Sequence, residues 1–336
     1  MCPDIFELLE RAEGLEQAGS FEEAVILYDL MITMESRWDE LWFRRGRVLN
    51  FLGRNAEAVH NVRRALALRP ENNMARMTLA HMLEAQMMPH KAEGVYREVL
   101  KRDPDHLSAR VGVGRTLAKQ AYYDRAIDVF MGVLNLDPTH TLARIHAGKA
   151  LAETGRYKQA KELLEEGIKQ EPSNPDLHIR LAKVYRRFEY HKLALESIET
   201  ALKLDEGRID AMVLRARLLI ATRRVKQGIG QLDEASMIDP EDVDVINARG
   251  EAMLALGRRT EALNLFEKAQ SASPLHRDTL ENLARFHLDQ NRTEKATFFI
   301  HLGAGAYPED PTFSQLLDVL SDNGTDNKHP TGGNEL

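Results

Sequence analysis

Trp42-Phe43-Arg44-Arg45-Gly46-Arg47-Val48-Leu49, followed by Ala58, Ala65 and Pro70, is the stretch on which the fold turns. Large apolar residues flank a glycine, an alanine stands twelve positions after that glycine, and a proline ends the segment. The proline recurs at Pro104, Pro138, Pro172, Pro240, Pro274 and Pro308, each 34 residues after the last except for one gap of 68, where Glu206 takes its place. Counting each unit from 31 residues before the proline gives nine units, beginning at Ile5, Asp39, Asn73, Leu107, Thr141, Pro175, Ile209, Val243 and Arg277 and covering residues 5–310.

The eighth position of every unit is Gly or Ala (Ala12, Gly46, Ala80, Gly114, Gly148, Ala182, Ala216, Gly250, Ala284). The twentieth is equally small, from Ala24 and Ala58 through Gly228 to Ala296. Two helices approach closely only where side chains are minimal, so each unit predicts a helical hairpin crossing at these two positions. Trp42, Leu49, Tyr96, Phe130 and Phe266 supply the packing around the crossings. Gly19, Gly53, Gly155 and Gly257 stand where the chain must turn between the helices. The proline, lacking an N–H, ends the second helix and resets the chain.

With those residues in place, the segment from Trp42 to Pro70 resembles the tetratricopeptide consensus, and the pattern repeats in phase nine times. The resemblance implies an all-α fold: a right-handed α-solenoid of nine helix-turn-helix repeats, the first helix of each lining a concave groove. Thr312 to Leu320 reads as an amphipathic helix over 311–320 that caps the array, and 321–336 as a disordered tail. The seam at Asp205-Glu206-Gly207, with Gly228 and Gly230 in the following hairpin, is the one candidate soft joint.

Of the 336 residues 43% are hydrophobic, 6% aromatic and 29% charged, with net charge −7, which suits a water-soluble helical protein and leaves no global basic footprint for nucleic acid. The single cysteine, Cys2, excludes an internal disulfide and reads as a free thiol. An acidic N-terminus without an apolar run, and the lack of any membrane-length apolar stretch, predict a cytoplasmic protein with no membrane insertion. No P-loop, HExxH or nucleophile–base pairing occurs, so neither an enzyme, a metal site nor a cofactor is expected.

On the first helix of each repeat, positions 4, 8 and 11 share the packed face, while positions 2, 5, 9 and 12 form a second stripe. The resemblance places that second stripe in the groove. Position 9 of repeats two to seven reads Arg47, His81, Arg115, Lys149, Lys183, Arg217, five cations in six, with Arg44, Arg180 and Arg186 beside them. Apolar groups alternate at position 5, from Phe43 and Met77 to Val213. This pattern suits an acidic peptide or protein segment, whose carboxylates would pair with the cations while its apolar residues fill the gaps. The competing reading pairs the cations with acids of neighbouring repeats such as Asp176, Asp210 or Asp244. The two-carboxylate clamp of chaperone-binding tetratricopeptide domains is not reproduced: of its places in the fourth to sixth repeats, only Arg180 matches. An interaction scaffold is therefore the leading expectation. Self-assembly through homo-oligomer contacts is the alternative, and RNA binding is disfavoured by the lack of interleaved aromatics.

Overall fold

A computed structural model describes residues 4–308 and 310–325, so Cys2 and residues 326–336 of the expected tail lie outside the described residues. The chain divides into two compact units, Met1–Thr154 and Gly155–Leu336. The first unit runs α1 Ile5–Gln17, α2 Phe21–Met34, α3 Asp39–Phe51, α4 Asn55–Leu68, α5 Asn73–Ala85, α6 Pro89–Arg102, α7 Leu107–Lys119, α8 Tyr123–Leu136 and α9 Thr141–Glu153. The second runs α10 Tyr157–Gln170, α11 Pro175–Arg187, α12 His191–Leu204, α13 Ile209–Ala221, α14 Val225–Ile238, α15 Val243–Ala255, α16 Arg259–Ala272, α17 Arg277–Asp289, α18 Thr293–Ala306 and α19 Pro311–Thr325. Among the described residues there is no strand, as expected of an all-α helical-repeat solenoid.

Each first helix has 13 residues and each second helix 14, because the same start and stop signals recur. Asn72, His106, His140 and Asp242 accept the backbone N–H three residues on, satisfying a donor that the first turn would otherwise leave orphaned. The turn between helices needs one left-handed residue at the fifteenth position. Gly19, Gly53, Gly155 and Gly257 supply it at φ 73° to 75°, and Met87, Ala121, Glu189, Arg223 and Asn291 adopt φ 54° to 62° at the same place despite their side chains.

The small residues do what their positions predict. A Cβ on Gly46 would lie 2.8 Å from Val62 Cγ2, and one on Gly114 or Gly250 would collide with the ring of Phe130 or Phe266. The glycine is therefore the complement of the phenylalanine, and both rings are fully buried. Gly228 meets the carbonyl oxygen of Ala216 at 3.0 Å from its missing Cβ, so α14 runs unbroken through this glycine and Gly230. Around it Met212, Val213, Ala216, Leu232, Ala235, Val245 and Ala248 form one buried cluster. α12 ends two residues before Glu206, as α6 and α8 end two residues before their prolines, so the seam read as a candidate soft joint has the ordinary hairpin geometry.

Two features differ from expectation. Position 4 packs inward as expected, with Arg76 and Arg144 buried, but several repeats place a hydrogen-bonding group there: Trp42 Nε1 donates to Ser36 O at 2.9 Å, Arg110 Nε to Pro104 O at 2.8 Å, and Arg76, Arg144 and His178 meet the carbonyls of Pro70, Pro138 and Pro172 in the same way. In repeats two to six this position therefore ties each helix to the loop six residues before it, and it is apolar in the first repeat (Leu8) and from repeat seven on (Met212, Ile246, Leu280). The last helix also runs to Thr325 rather than ending at 320. Phe313 and Leu316 anchor it by packing with Leu280, Ala284 and Ile300 of the last hairpin.

Candidate functional site

Position 9 lies one residue past the small crossing residue, so its side chain leaves the hairpin on the face made by the first helices. In the first unit α7 lies beside α9, and in the second α11, α13, α15 and α17 follow one another side by side.

In the first unit Arg44 is held by Glu13 at 2.5 Å and Glu40 at 2.7 Å. Arg115 Nη2 lies 2.6 Å from Glu84 Oε2 and 3.2 Å from Tyr96 Oη, and Lys119 Nζ lies 3.2 Å from Glu84 Oε1. Glu84 is only 7% exposed and also accepts from Tyr96 Oη at 2.9 Å. Burial alone would raise its carboxyl pKa; Arg115, Lys119 and the tyrosine outweigh that and hold it below the ordinary carboxylate range. Burial and the adjacent Glu84 charge together push the Tyr96 hydroxyl well up. His81 packs edge-on to Tyr96, 5.7 Å between ring centres, and partial desolvation followed by the Arg115 charge keeps its pKa below the usual value. Arg47 sits over the Phe43 ring at 6.0 Å and has no ion pair among the described residues. Lys149 is exposed on α9.

In the second unit Arg217 is engaged twice, by Glu251 at 3.0 Å and by Asp278 at 3.0 Å. Arg180 and Lys183 lie on α11, and Lys183 is near enough to Asp210 to help lower its carboxyl pKa against burial, after Arg208. Arg186 differs from the rest. It is half-buried, and no ion pair or side-chain hydrogen bond reaches it among the described residues. Burial first, then the charges of Arg217 and Arg187, push its pKa down.

The run of cations is thus not uncompensated: Arg44, Arg115 and Arg217 have carboxylate partners. The acids doing this are mostly not those singled out by sequence. Asp176 and Asp210 are taken by Arg208, at 2.7 and 3.1 Å, and Asp244 lies 3.7 Å from His276. Glu84 and Arg186 both occupy position 12 of the inner stripe, so reading that position beside position 9 would have found the acid and the unpartnered cation together. Among the described residues no cluster of His, Cys, Asp and Glu could hold a metal ion, and no helix is long and apolar enough to cross a membrane.

Tetratricopeptide-repeat profiles match residues 39–72, 89–140, 117–184, 175–208 and 253–320, together about two thirds of the chain. Comparison with curated protein sequences finds no match. Among solved structures, a tetratricopeptide repeat protein from Parabacteroides merdae is similar at 13% identity and a TM-score of 0.59, over 74% of this chain and 98% of that one. The Cut9–Hcn1 hetero-tetramer of the APC/C is similar at 14% identity and 0.57, over 89% and 59%, so this chain spans less than two thirds of that one. A human IFIT1 dimer with m7Gppp-AAAA follows at 17% and 0.53, over 79% and 68%. At these identities the structures share the fold and nothing more specific. The repeated profile matches, the hairpins in register and the glycine–aromatic crossings agree, and the chain belongs to the tetratricopeptide-repeat family.

Proposed function

We propose that this protein is an interaction scaffold in which the first-helix face of a unit, taken by itself, holds an acidic segment of another protein, with Arg186 in the second unit, and separately Arg47 in the first, as the cation that receives its carboxylates. The observation that carries this reading is Arg186: a half-buried guanidinium with no ion pair or side-chain hydrogen bond of its own among the described residues, where burial and two further arginines outweigh the nearby acids Asp278 and Glu251, which Arg217 already engages. An ionised group drawn partly out of water gains most from a ligand carboxylate, because an approaching anion replaces lost hydration and relieves the repulsion among the cations. Where Arg115 and Arg217 already have carboxylates, a ligand would have to displace them, so these two order the surface around the anchors. The apolar residues expected at position 5 to fill the gaps between the cations do not reach a ligand: Phe43, Val111, Ile145, Ile179 and Val213 are all buried, so they support the anchors from beneath and the contact surface itself is polar. Binding of a fluorescein-labelled peptide alternating Glu and Leu, compared with its Gln–Leu counterpart, tests this by anisotropy. Arg186→Glu, and separately the double reversal Lys149→Glu/Lys183→Glu, should weaken capture of the Glu peptide at least ten-fold with the helical circular-dichroism signal intact. Equal affinity of wild type and variants, or equal affinity for both peptides, rejects the reading.

A further inference from the structure

The first hairpin, residues 4–35, carries nine carboxylates against the single cation Arg11, whereas the whole chain is only −7. Three of those acids, Glu13, Glu22 and Asp29, are met by arginines of the second repeat. The remainder leave the hairpin strongly negative. Its second helix, α2, has no Lys or Arg at all. On the outward face of α2, away from the packed residues Ala24, Tyr28 and Met31, stand Ile26 at 66% exposure, Leu30 at 43% and Met34 at 40%. Spaced four residues apart, they form a continuous apolar stripe just over two turns long, with Glu23 on the same face at its start and Glu22 and Asp29 along one edge.

The same positions show that this is no general property of the outer helices. The places of Ile26 and Leu30 hold His60 and Arg64 in the second repeat and Glu196 and Thr200 in the sixth, and none of repeats two to eight has a large apolar side chain at either. The ninth repeat, with Phe298 and Leu302 at these places, is the other exception; a second helix that exposes an apolar stripe where repeats two to eight carry only polar residues or glycine is a surface shaped for contact rather than for water.

We infer that the outer face of α2 is a docking surface for a cationic amphipathic helix of a partner protein. Ile26, Leu30 and Met34 would receive the partner's own i, i+4 apolar residues, and its flanking lysines or arginines would meet Glu23 and the negative field of the first hairpin. The occupant is fixed by charge: a helix with acidic flanks is repelled by this hairpin, and a neutral one loses the complementary pairing. The surface is separate from the first-helix face, so the inference stands whether or not the acidic-segment reading does.

The full chain serves for the test, with a labelled 18-residue helical peptide carrying leucines at i, i+3 and i+4 spacing and lysine flanks, and an otherwise identical peptide with glutamate flanks. Wild type should bind the lysine peptide at least ten-fold more tightly than the glutamate one, with added hydrogen-exchange protection centred on residues 22–34. Ile26→Ser/Leu30→Ser should lose that binding ten-fold or more, and Glu23→Lys, which leaves the stripe intact, should lose a smaller share while narrowing the preference between the peptides. Arg186→Glu should leave it unchanged, which separates this surface from the first-helix site. Indifference to the flanking charge, protection elsewhere, or a wild-type dimer in sedimentation velocity that the Ile26→Ser/Leu30→Ser variant dissolves would overturn the inference, the last by making a second copy of the chain the occupant.

Discussion

Gly114 and Gly230 have opposite surroundings, and an alanine at each should act in opposite directions. A Cβ at Gly114 has no room beside the Phe130 ring, so Gly114→Ala should destabilise by about 1–3 kcal/mol in urea unfolding even though alanine is the better helix former. At Gly230 nothing lies within 4 Å, so Gly230→Ala should gain roughly 0.5–1 kcal/mol. The left-handed turn residues Met87, Glu189 and Arg223 carry a side chain where four repeats use glycine, and each change to glycine should stabilise by about 1 kcal/mol in the same measurement. His287, buried and stacked on Phe299 at 5.7 Å, has its pKa held below the ordinary value by burial and then by Lys295 and Arg292. The unfolded chain therefore takes up a proton here near pH 6.5 while the folded one stays neutral, so this contribution is full above that pH and is lost as pH falls. His287→Phe should make the difference in urea midpoint between pH 7.5 and pH 5.5 smaller. The glycine–aromatic pairing was legible in the sequence because both members recur in a fixed phase. The ion pair between Arg217 and Asp278 was not, because the two are two repeats apart and meet only once hairpins stack.

At the scale of the helix, the length of each element follows from three local signals: a cap, a left-handed turn and a stop. That is why the boundaries could be read from the 34-residue period even where Glu206 replaces proline. The side-chain tie from position 4 to the preceding loop escaped notice because arginine, histidine and tryptophan share little except an N–H, and a hydropathy pattern does not score that. Arg110→Met, imitating the apolar residue of the later repeats, should cost about 0.5–1.5 kcal/mol, with faster amide exchange confined to the 103–107 loop. α19 outran its expected end for a related reason. Ser321, Asp322, Asn323 and Gly324 are poor helix formers, yet they continue a helix already anchored by Phe313 and Leu316, and tertiary packing overrides propensity.

At the scale of the whole molecule, a chain of hairpins holds together by neighbour contacts, so damage should spread only a short way. Phe313→Ala removes a fully buried ring at about 3–5 kcal/mol, and exchange protection should fall in α17 and α18 while α11 and α12, in the same unit, keep wild-type values. An equal loss of protection across the unit would mean that it unfolds as a single block. The tie from position 4 has a consequence of another kind. Because Arg76, Arg110, Arg144 and His178 each reach the carbonyl of the proline six residues earlier, every seam from Pro70 to Pro172 ends in the same socket and begins with a matching plug. A recombination event that removed or copied 34 residues anywhere in that stretch would rejoin plug to socket, so the gene can lengthen or shorten its product without inventing a new junction.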